Sequence, residues 1–310
     1  MLSRRNIRIK VLQALYMLGR DPEVGTEEAL NFYRQALDRS QDLYLFNLLN
    51  LIRTAEYAIE DTERKRTKYL PSEEDKKFTA KLYQNSSMQA LATEPDLKIL
   101  FKKKGLDALM QGDNNRKYYK RFAKTKSYKE YVQGKDDVTS DRHILLELYK
   151  HLVKEELFEE TIDDYFPTWE DDKSLIVGAM KKTIKALPES PELYRTFRPD
   201  YEAAVEFGEN LLIQSVERDK EFEQIIGPSL DNWEIDRVAN IDMILLKMAI
   251  CEFTSFESIP TKVTLNEYVE LSKIYSTDKS KEFINGILDK LLTDLNEQGA
   301  IKKSGRGLDE

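Results

Sequence analysis

The chain has 310 residues, of which 41% are hydrophobic and 34% are charged, and its formal net charge is −8. This length suits one large domain or two ordinary ones, and the hydrophobic content is enough for a packed core. No apolar run approaches the ~18–20 residues that a membrane-spanning helix needs, and the basic N-terminus lacks the apolar stretch and cleavage site of a signal peptide. The single cysteine, Cys251, excludes an internal disulfide and a cysteine cluster for a metal. We therefore expect a cytoplasmic protein.

The hydrophobic pattern predicts helices along the whole chain and no strands. The first helix should begin after Ser3, which is a favoured N-cap residue. A second helix is predicted to begin near Thr26, and a separate, longer one is predicted from about Asp42 to about Thr67.

Charge is strongly segregated in the middle of the chain. Residues 98–135 contain 12 basic and 3 acidic residues, whereas residues 136–172 contain 3 basic and 13 acidic ones. Local fields rather than the net charge decide where an anionic partner binds, so an acidic protein can still bind RNA. The basic segment also contains five aromatic residues: Tyr118, Tyr119, Phe122, Tyr128 and Tyr131. Three interpretations are open for it: an extended RNA surface, a partner for the acidic segment, or a flexible charged insert.

The last third of the chain has the clearest helical periodicity. Asp200 is predicted to cap a helix that reaches Phe222, and an amphipathic helix is predicted from Ile235 to Phe253. Pro260 separates that helix from two more, of which the last is predicted to be capped by Thr277 or by the residue after it.

Two local features of this last region carry their own expectations. Gly286 lies inside the final predicted helix, where glycine costs ~1 kcal/mol relative to alanine. We expect favourable packing against a closely approaching neighbouring helix to offset that cost. Residues 298–310 are rich in glycine and charge, and we expect them to be a disordered tail.

Two separated blocks carry a family resemblance. The first is SRRNIRIKVLQALY at residues 3–16, and the second covers residues 233–292. The second block contains the run P-x-K-V-x-x-N-E from Pro260 and the run F-I-N-G-I-L-D-K from Phe283. Together the blocks resemble the NusB family over roughly a third of the chain.

This resemblance implies an all-α fold, a NusB-like helical bundle of two packed subdomains, here with an extra helical insertion. We accordingly expect residues 1–20 to form the first helix of the NusB-like core and to carry RNA-binding arginines. Residues 21–199 are expected to be a charged, mainly helical insertion, and residues 200–297 the rest of the core.

The resemblance also implies a function, that of a transcription antitermination factor. Such a factor would bind boxA-type single-stranded RNA together with NusE, a ribosomal protein of the small subunit. It would act on elongating RNA polymerase, chiefly during transcription of ribosomal RNA. NusB-like proteins can also self-associate, so a homodimer is among the expected assemblies. The alternative is a helical protein-interaction scaffold that has lost RNA binding.

The arginines that bind RNA in the family correspond to Arg4, Arg5 and Arg8 of this chain. Residues 4 and 8 are one helical turn apart and share a face, with residue 5 beside them. Because that face lies off the apolar stripe, we expect all three guanidiniums to reach solvent. Each could donate two hydrogen bonds to a phosphate or stack on a base, at a helix N-terminus that favours anions. A solvated basic helix end is the alternative interpretation.

Further binding residues follow from the resemblance alone. Tyr16 and Phe283 fall at positions that the family associates with RNA contact, where an exposed aromatic ring can stack on an unpaired base. Both could instead be core residues. Lys247 lies where the family often has a basic residue near the RNA, although it could equally be a solvated lysine. Contact with NusE is implied for Asp278 and Lys279, and Lys279 departs from the acidic residue often found directly before the serine of that loop.

Catalytic motifs are absent from the sequence. It has no dinucleotide-binding glycine pattern, P-loop, H-E-x-x-H motif or nucleophile elbow. This argues against an RNA-modifying enzyme, although NusB-like domains occur fused to RNA methyltransferases. His143, Glu147 and His151 share one helix face, but two histidines and one carboxylate on a single helix seldom hold a metal. We expect no catalytic residue, no metal and no cofactor.

Overall fold

A computed structural model of the protein describes residues 3–21, 23–110, 112–197, 202–230 and 237–308. Regular structure in these ranges is entirely helical, which confirms the predicted all-α class. The α-helices in chain order are α1 (Arg4–Arg20), α2 (Thr26–Arg66), α3 (Glu73–Lys77), α4 (Lys81–Gln84), α5 (Ser86–Ala92), α6 (Pro95–Lys103), α7 (Asn114–Phe122), α8 (Lys126–Gln133), α9 (Val138–Leu152), α10 (Glu156–Tyr165), α11 (Trp169–Ala186), α12 (Asn210–Glu217), α13 (Asp219–Ile226), α14 (Asn240–Ser255), α15 (Thr261–Tyr275) and α16 (Ser280–Glu297).

Shorter helical segments complete the described structure. They are 3₁₀ helices at Leu106–Leu109, Pro191–Thr196, Gly227–Ser229 and Gly305–Leu308, and a π-helix at Glu202–Glu209. None of the helices in the described ranges is long and apolar enough to cross a membrane. The predicted cap Asp200 and the predicted helix start Ile235 lie outside the described residues.

The chain divides into two compact units. The insertion unit is Asp38–Arg198, and the terminal unit combines Leu2–Leu37 with Pro199–Glu310. The sequence predicts that the insertion begins at residue 21, whereas the structure keeps residues 23–37 in the terminal unit.

Side chains near the start of α2 explain why residues 23–37 stay with the terminal unit. The Tyr33 hydroxyl donates a hydrogen bond of 2.9 Å to the carbonyl oxygen of Ala204. Arg34 donates two hydrogen bonds of 2.8 Å to the carboxylate of Glu209. Gly208 allows this close packing, because a Cβ atom there would lie 1.8 Å from the Tyr33 Oη atom.

Helix α2 replaces the two separate helices that the sequence predicts between Thr26 and Thr67. It is one helix of 41 residues. Its sequence contains neither glycine nor proline, so nothing in it interrupts the backbone hydrogen bonds of a helix.

The insertion unit has one continuous hydrophobic core, and the aromatic residues of the basic segment belong to it. These five side chains are each less than 9% exposed: Tyr118, Tyr119, Phe122, Tyr128 and Tyr131. The hydroxyls of Tyr119 and Tyr128 are 2.9 Å apart, and Tyr131 donates to Asp141 of the acidic segment at 2.7 Å. The segment is therefore ordered rather than a flexible insert, and its rings are not exposed stacking platforms.

The C-terminal residues are ordered as far as Leu308, in contrast to the disordered tail predicted from residue 298. Lys303 folds back on the end of α14, where its Nζ atom donates to the carbonyl oxygens of Glu252 (3.3 Å) and Phe256 (3.0 Å). Both carbonyls also accept a backbone amide, from Phe256 and Ile259 respectively, so Lys303 adds a second, charged donor to each. Together with the hydrogen bond from the Ser304 amide to the Glu257 carbonyl oxygen (3.1 Å), these contacts hold the tail against the end of α14.

The expectation for Gly286 is wrong. The residue is exposed in α16, and no atom lies within 4 Å of the position that its Cβ would occupy. Close packing therefore does not account for the glycine, and nothing in the structure explains it.

Candidate functional site

The first turn of α1 borders the candidate site, and its start at Ser3 is as predicted. The Ser3 hydroxyl accepts from the Asn6 amide at 3.4 Å, and the Asn6 side chain accepts from the Ser3 amide at 3.3 Å. This reciprocal capping fixes the direction in which α1 begins. A groove of about 600 Å³ lies beside this turn, and it is lined by Ser3, Arg4, Arg5, Arg8, Ser258, Ile259, Pro260, Val263 and Glu267.

Arg8 lies beneath this groove, and its side chain is only 2% exposed. The expectation that all three guanidiniums reach solvent is therefore wrong for Arg8. Its Nε and Nη2 atoms donate to the two carboxylate oxygens of Glu252 at 2.8 and 2.6 Å. Glu252 itself is fully buried, so the two groups form an ion pair inside the terminal unit.

Further contacts hold this buried pair in place. Glu252 also accepts hydrogen bonds from the hydroxyls of Thr264 (2.7 Å) and Tyr268 (3.1 Å). The Arg8 guanidinium lies 5.1 Å from the centre of the Phe207 ring. Burial alone would lower the pKa of Arg8, but the charge of Glu252 and its hydrogen bonds outweigh burial and raise it above the usual value. Arg8 is thus a fixed, permanently charged group.

Arg5 and Arg4 lie at the surface of the same groove. The Arg5 side chain is 46% exposed and donates two hydrogen bonds of 2.8 Å to Glu267, which raise its pKa. The Arg4 side chain is 41% exposed and makes a single 3.2 Å contact with Glu202, which is itself 70% exposed. The exposed pair of Arg4 contributes ~0–1 kcal/mol, so an incoming anion could displace Glu202. The two-pronged pair of Arg5 is held more firmly, since Glu267 is only 20% exposed.

Tyr16 is also at the surface, at 39% exposure. It follows Arg5 by 11 residues on α1, so it shares the face of Arg5 about 16 Å further along the helix axis. The guanidinium of Arg20 lies 5.9 Å from the centre of the Tyr16 ring.

The remaining sequence-predicted residues lie elsewhere in the terminal unit. Lys247 is 9% exposed on α14 and forms ion pairs with Asp219 and Glu223. It lines a different groove from the one beside Arg4 and Arg5. Phe283 is partly buried on α16, whereas Asp278 and Lys279 are exposed directly before that helix.

The acidic partners of the arginines are not among the residues predicted from the sequence. Glu252 and Glu267 lie on α14 and α15, far along the chain from α1. One signal was available for Glu252, because a charged residue inside the apolar run MAICEF is seldom buried without a partner. No comparable signal distinguishes Glu267 from other surface glutamates.

Metal-ligating and nucleophilic side chains are the groups that could support chemistry beyond binding. No group of three or more His, Cys, Asp or Glu side chains there could hold a metal ion. Cys251 is fully buried, and burial raises the pKa of its thiol to about 12, so it is not a reactive nucleophile.

Comparison with known proteins identifies a NusB family domain at residues 196–293. Similar proteins include the "Transcription antitermination protein NusB" of Salinibacter ruber, which is 45% identical over 103 residues, and that of Chloroherpeton thalassium, which is 42% identical over 99 residues. The protein of the same name from Listeria monocytogenes is 45% identical over 78 residues. No solved structure matches the chain.

The alignments cover only part of this chain and only part of each relative, less than two thirds of its length. The three alignments cover 33%, 32% and 25% of this chain, and 64%, 46% and 61% of the respective relatives. Helix α1 lies outside the matched family domain, although the structure packs it against the π-helix, α12 and α14 of that domain. Helix α1, which carries the arginines of the groove, therefore packs directly against the matched domain.

Proposed function

We propose that the terminal unit is an RNA-binding NusB-type domain and that the chain acts as a transcription antitermination factor. The observation that carries the proposal is the arrangement of the arginines on α1. Arg4 and Arg5 lie half-exposed at a groove, and Arg8 is locked beneath them by Glu252.

Binding begins with an exchange of anions at the surface. A phosphate that approaches the groove replaces Glu202 beside Arg4 and Glu267 beside Arg5. The pair of Arg4 with Glu202 is exposed and weak, so it is exchanged first. The phosphate then competes with the less exposed Glu267 for Arg5. Guanidinium donates to phosphate in a two-pronged geometry, and the N-terminal end of α1 adds a favourable helix dipole.

Arg8 has a different role in this proposal. Because its charge is already neutralised inside the protein, it positions the first turn of α1 and does not touch the RNA. The pair with Glu252 joins α1 to α14, so it sets where Arg4 and Arg5 stand relative to the groove.

Bases would be contacted further along the protein surface. Tyr16 offers an exposed ring on the Arg5 face of α1, where an unpaired base of a boxA-type RNA could stack. We assign Phe283 a similar role through its exposed part. Lys247 would contribute only after its pairs with Asp219 and Glu223 open.

The partners in this proposal follow those implied for the family. Asp278 and Lys279 are exposed before α16 and would contact NusE. The two proteins together would form a composite RNA surface and act on elongating RNA polymerase, chiefly on ribosomal RNA. We place this activity in the cytoplasm, with no cofactor.

A second candidate is a protein-interaction scaffold that no longer binds RNA. One observation favours it, namely that each arginine of the groove already has a carboxylate partner within the chain: Glu202, Glu267 or Glu252. A site neutralised in this way attracts RNA less strongly than three free arginines would.

The deciding experiment is fluorescence-anisotropy binding of a boxA-type RNA across a salt series, with and without NusE. The test variant is Arg4→Ala with Arg5→Ala. The matched control is Arg53→Ala with Arg195→Ala, two arginines of the insertion unit that are also half-exposed and paired with carboxylates.

Loss of two phosphate contacts should weaken binding and flatten the log–log salt slope by about 1.4, since each contact to single-stranded RNA contributes ~0.7. The control should bind as the wild type does, and NusE should tighten wild-type binding. Wild-type protein that binds no boxA-type RNA under any of these conditions would favour the scaffold.

A further inference from the structure

Four exposed lysines of the insertion unit lie along α7 and α8 without a carboxylate partner. Lys117 and Lys120 are on α7, Lys124 follows it, and Lys129 is on α8. We call these four residues the lysine row. In the described ranges none of their ammonium groups forms an ion pair, whereas the neighbouring cations Arg116, Arg121 and Lys126 each contact a carboxylate: Glu60, Glu155 and Glu130.

The backbone places three members of the lysine row on one helix face. Positions 117, 120 and 124 follow the i, i+3, i+7 spacing of a single helix face, and Ala123 after α7 keeps a helical conformation. The opposite face of α7 is held in the core by the buried Tyr118, Tyr119 and Phe122. The lysines are thus carried by a fixed framework, and their exposed ammonium groups make no ion pair in the described ranges, although that of Lys117 donates to Asn114 at 3.4 Å.

Lys129 lines a groove of about 710 Å³, and so does Ala123, which lies directly before Lys124 in the chain. Its two acidic side chains are already neutralised, since Glu73 pairs with Lys76 at 2.7 Å and Asp75 pairs with Lys68 at 2.8 Å. The hydrogen bonds from Lys68 help to lower the pKa of Asp75 to about 2, so that pair stays charged on both sides. The uncompensated charges of the groove are therefore the exposed cations Lys77 and Lys129.

We propose that the lysine row binds the phosphate backbone of single-stranded RNA, as a second RNA contact of this protein. The proposal rests on the proposed function, because it adds to the RNA surface at Arg4 and Arg5. It assigns to the insertion unit a contact that does not depend on base sequence, since phosphate contacts position a strand but do not read it.

The composition of the surface favours RNA over an acidic protein. No large hydrophobic side chain of α7 or α8 is exposed, because all their tyrosines and phenylalanines are buried. Protein interfaces depend on apolar and aromatic anchors at their centre. A nucleic-acid backbone needs only spaced positive charges, and the lysine row supplies these.

The test uses full-length protein that carries Arg4→Ala and Arg5→Ala, so that the arginine groove no longer contributes. A fluorescein-labelled oligo(U) RNA is titrated at low salt and across a salt series. The test variant adds Lys120→Gln, Lys124→Gln and Lys129→Gln. The matched control instead adds Lys181→Gln, Lys182→Gln and Lys185→Gln, three exposed lysines of α11 that give the same change in net charge.

We expect the test variant to bind oligo(U) about tenfold or more weakly at low salt, with a salt slope flatter by about 2 because three contacts are lost. The control should keep the affinity and slope of the parent chain. Circular dichroism and urea unfolding should be unchanged in both, since all six lysines are exposed.

Three results would overturn the lysine row: no oligo(U) binding by the parent chain, equal loss in test and control, or displacement of the RNA by poly-glutamate as readily as by unlabelled RNA. The last result would indicate an acidic protein partner. Failure of the proposed function is separate, because it would appear in the boxA-type titrations, either as no binding by the wild type or as binding that is unaffected by Arg4→Ala and Arg5→Ala.

Discussion

Arg5 and Arg8 are three residues apart on α1, yet their carboxylate partners give them different energetic roles. Arg5 pairs at the surface, where water and salt screen the charges, and its partner can be exchanged. Arg8 pairs inside the protein, where removal of Glu252 leaves its buried charge with only the longer 3.6 Å contact to Glu267. Stability should therefore depend on Arg8, and binding on Arg5.

Glu252→Gln tests the buried pair. It leaves the Arg8 charge buried opposite a neutral amide, and we expect it to lower the free energy of unfolding by about 3 kcal/mol or more. Urea unfolding followed by circular dichroism measures this. Glu202→Gln is the control, since it breaks only the exposed pair with Arg4 and should cost less than ~1 kcal/mol. Equal stability of the two variants would show that Glu252 is not what holds Arg8.

Gly208 and Gly286 allow a second comparison of single residues. In Gly208→Ala the new Cβ would meet the Tyr33 hydroxyl and the Ile7 side chain, so we expect a loss of ~1–3 kcal/mol from overpacking. In Gly286→Ala the new Cβ meets nothing, and the higher helix propensity of alanine should add up to ~1 kcal/mol. Thermal unfolding of both variants measures whether each substitution lowers or raises the stability of the protein. A destabilised Gly286→Ala would contradict the open space around this position of α16.

At the scale of elements, the end of α14 is stabilised from outside the helix. Lys303 donates to two of its terminal carbonyls, and hydrogen bonds from charged groups contribute ~1.5–3 kcal/mol each when buried. Burial lowers the pKa of Lys303, which partly offsets this gain. The C-terminal segment therefore acts as a cap for α14.

We predict that Lys303→Ala lowers the stability of the protein by about 1 kcal/mol, because the two carbonyls lose a charged donor but keep their backbone amide donors. It should also speed amide hydrogen exchange near the end of α14. Lys302→Ala is the matched control. Because Lys302 is exposed, the stability of this variant should be within ~0.5 kcal/mol of that of the wild type. Unchanged exchange in Lys303→Ala would mean that the tail does not protect α14.

The sequence predicts these elements well where local pattern decides them and poorly where distant contacts do. Ser3 and the apolar spacing place the start of α1, because capping and periodicity are local properties. The burial of Arg8 could not be predicted in this way, since Glu252 lies 244 residues away along the chain. The order of the tail has the same origin, as the partners of Lys303 belong to α14. The RNA and NusE contacts assigned from the resemblance stay predictions.

At the scale of the whole molecule, the two units differ in whether they are formed by one continuous segment of the chain or by two separated ones. The core residues of the insertion unit all come from one continuous segment, residues 38–198, whereas the terminal unit combines two separated segments. A continuous segment of this length buries enough apolar surface to fold independently.

We predict that residues 38–198 produced alone form a helical domain that unfolds in one cooperative transition. Circular dichroism during urea unfolding checks this, with the full chain as the reference. A broad transition, or dye binding typical of exposed hydrophobic surface, would contradict the assignment of an independent core.

The burial of Cys251 has a practical consequence for spectroscopy. It is the only cysteine of the chain and it is fully buried, so maleimide dyes should leave the native protein unlabelled. A cysteine introduced at one exposed position, such as Gly286→Cys on α16 or Lys124→Cys in the lysine row, would then carry a single fluorophore without prior removal of a native thiol. Two such proteins, each with one dye, would report in real time on binding at the terminal unit and at the insertion unit separately.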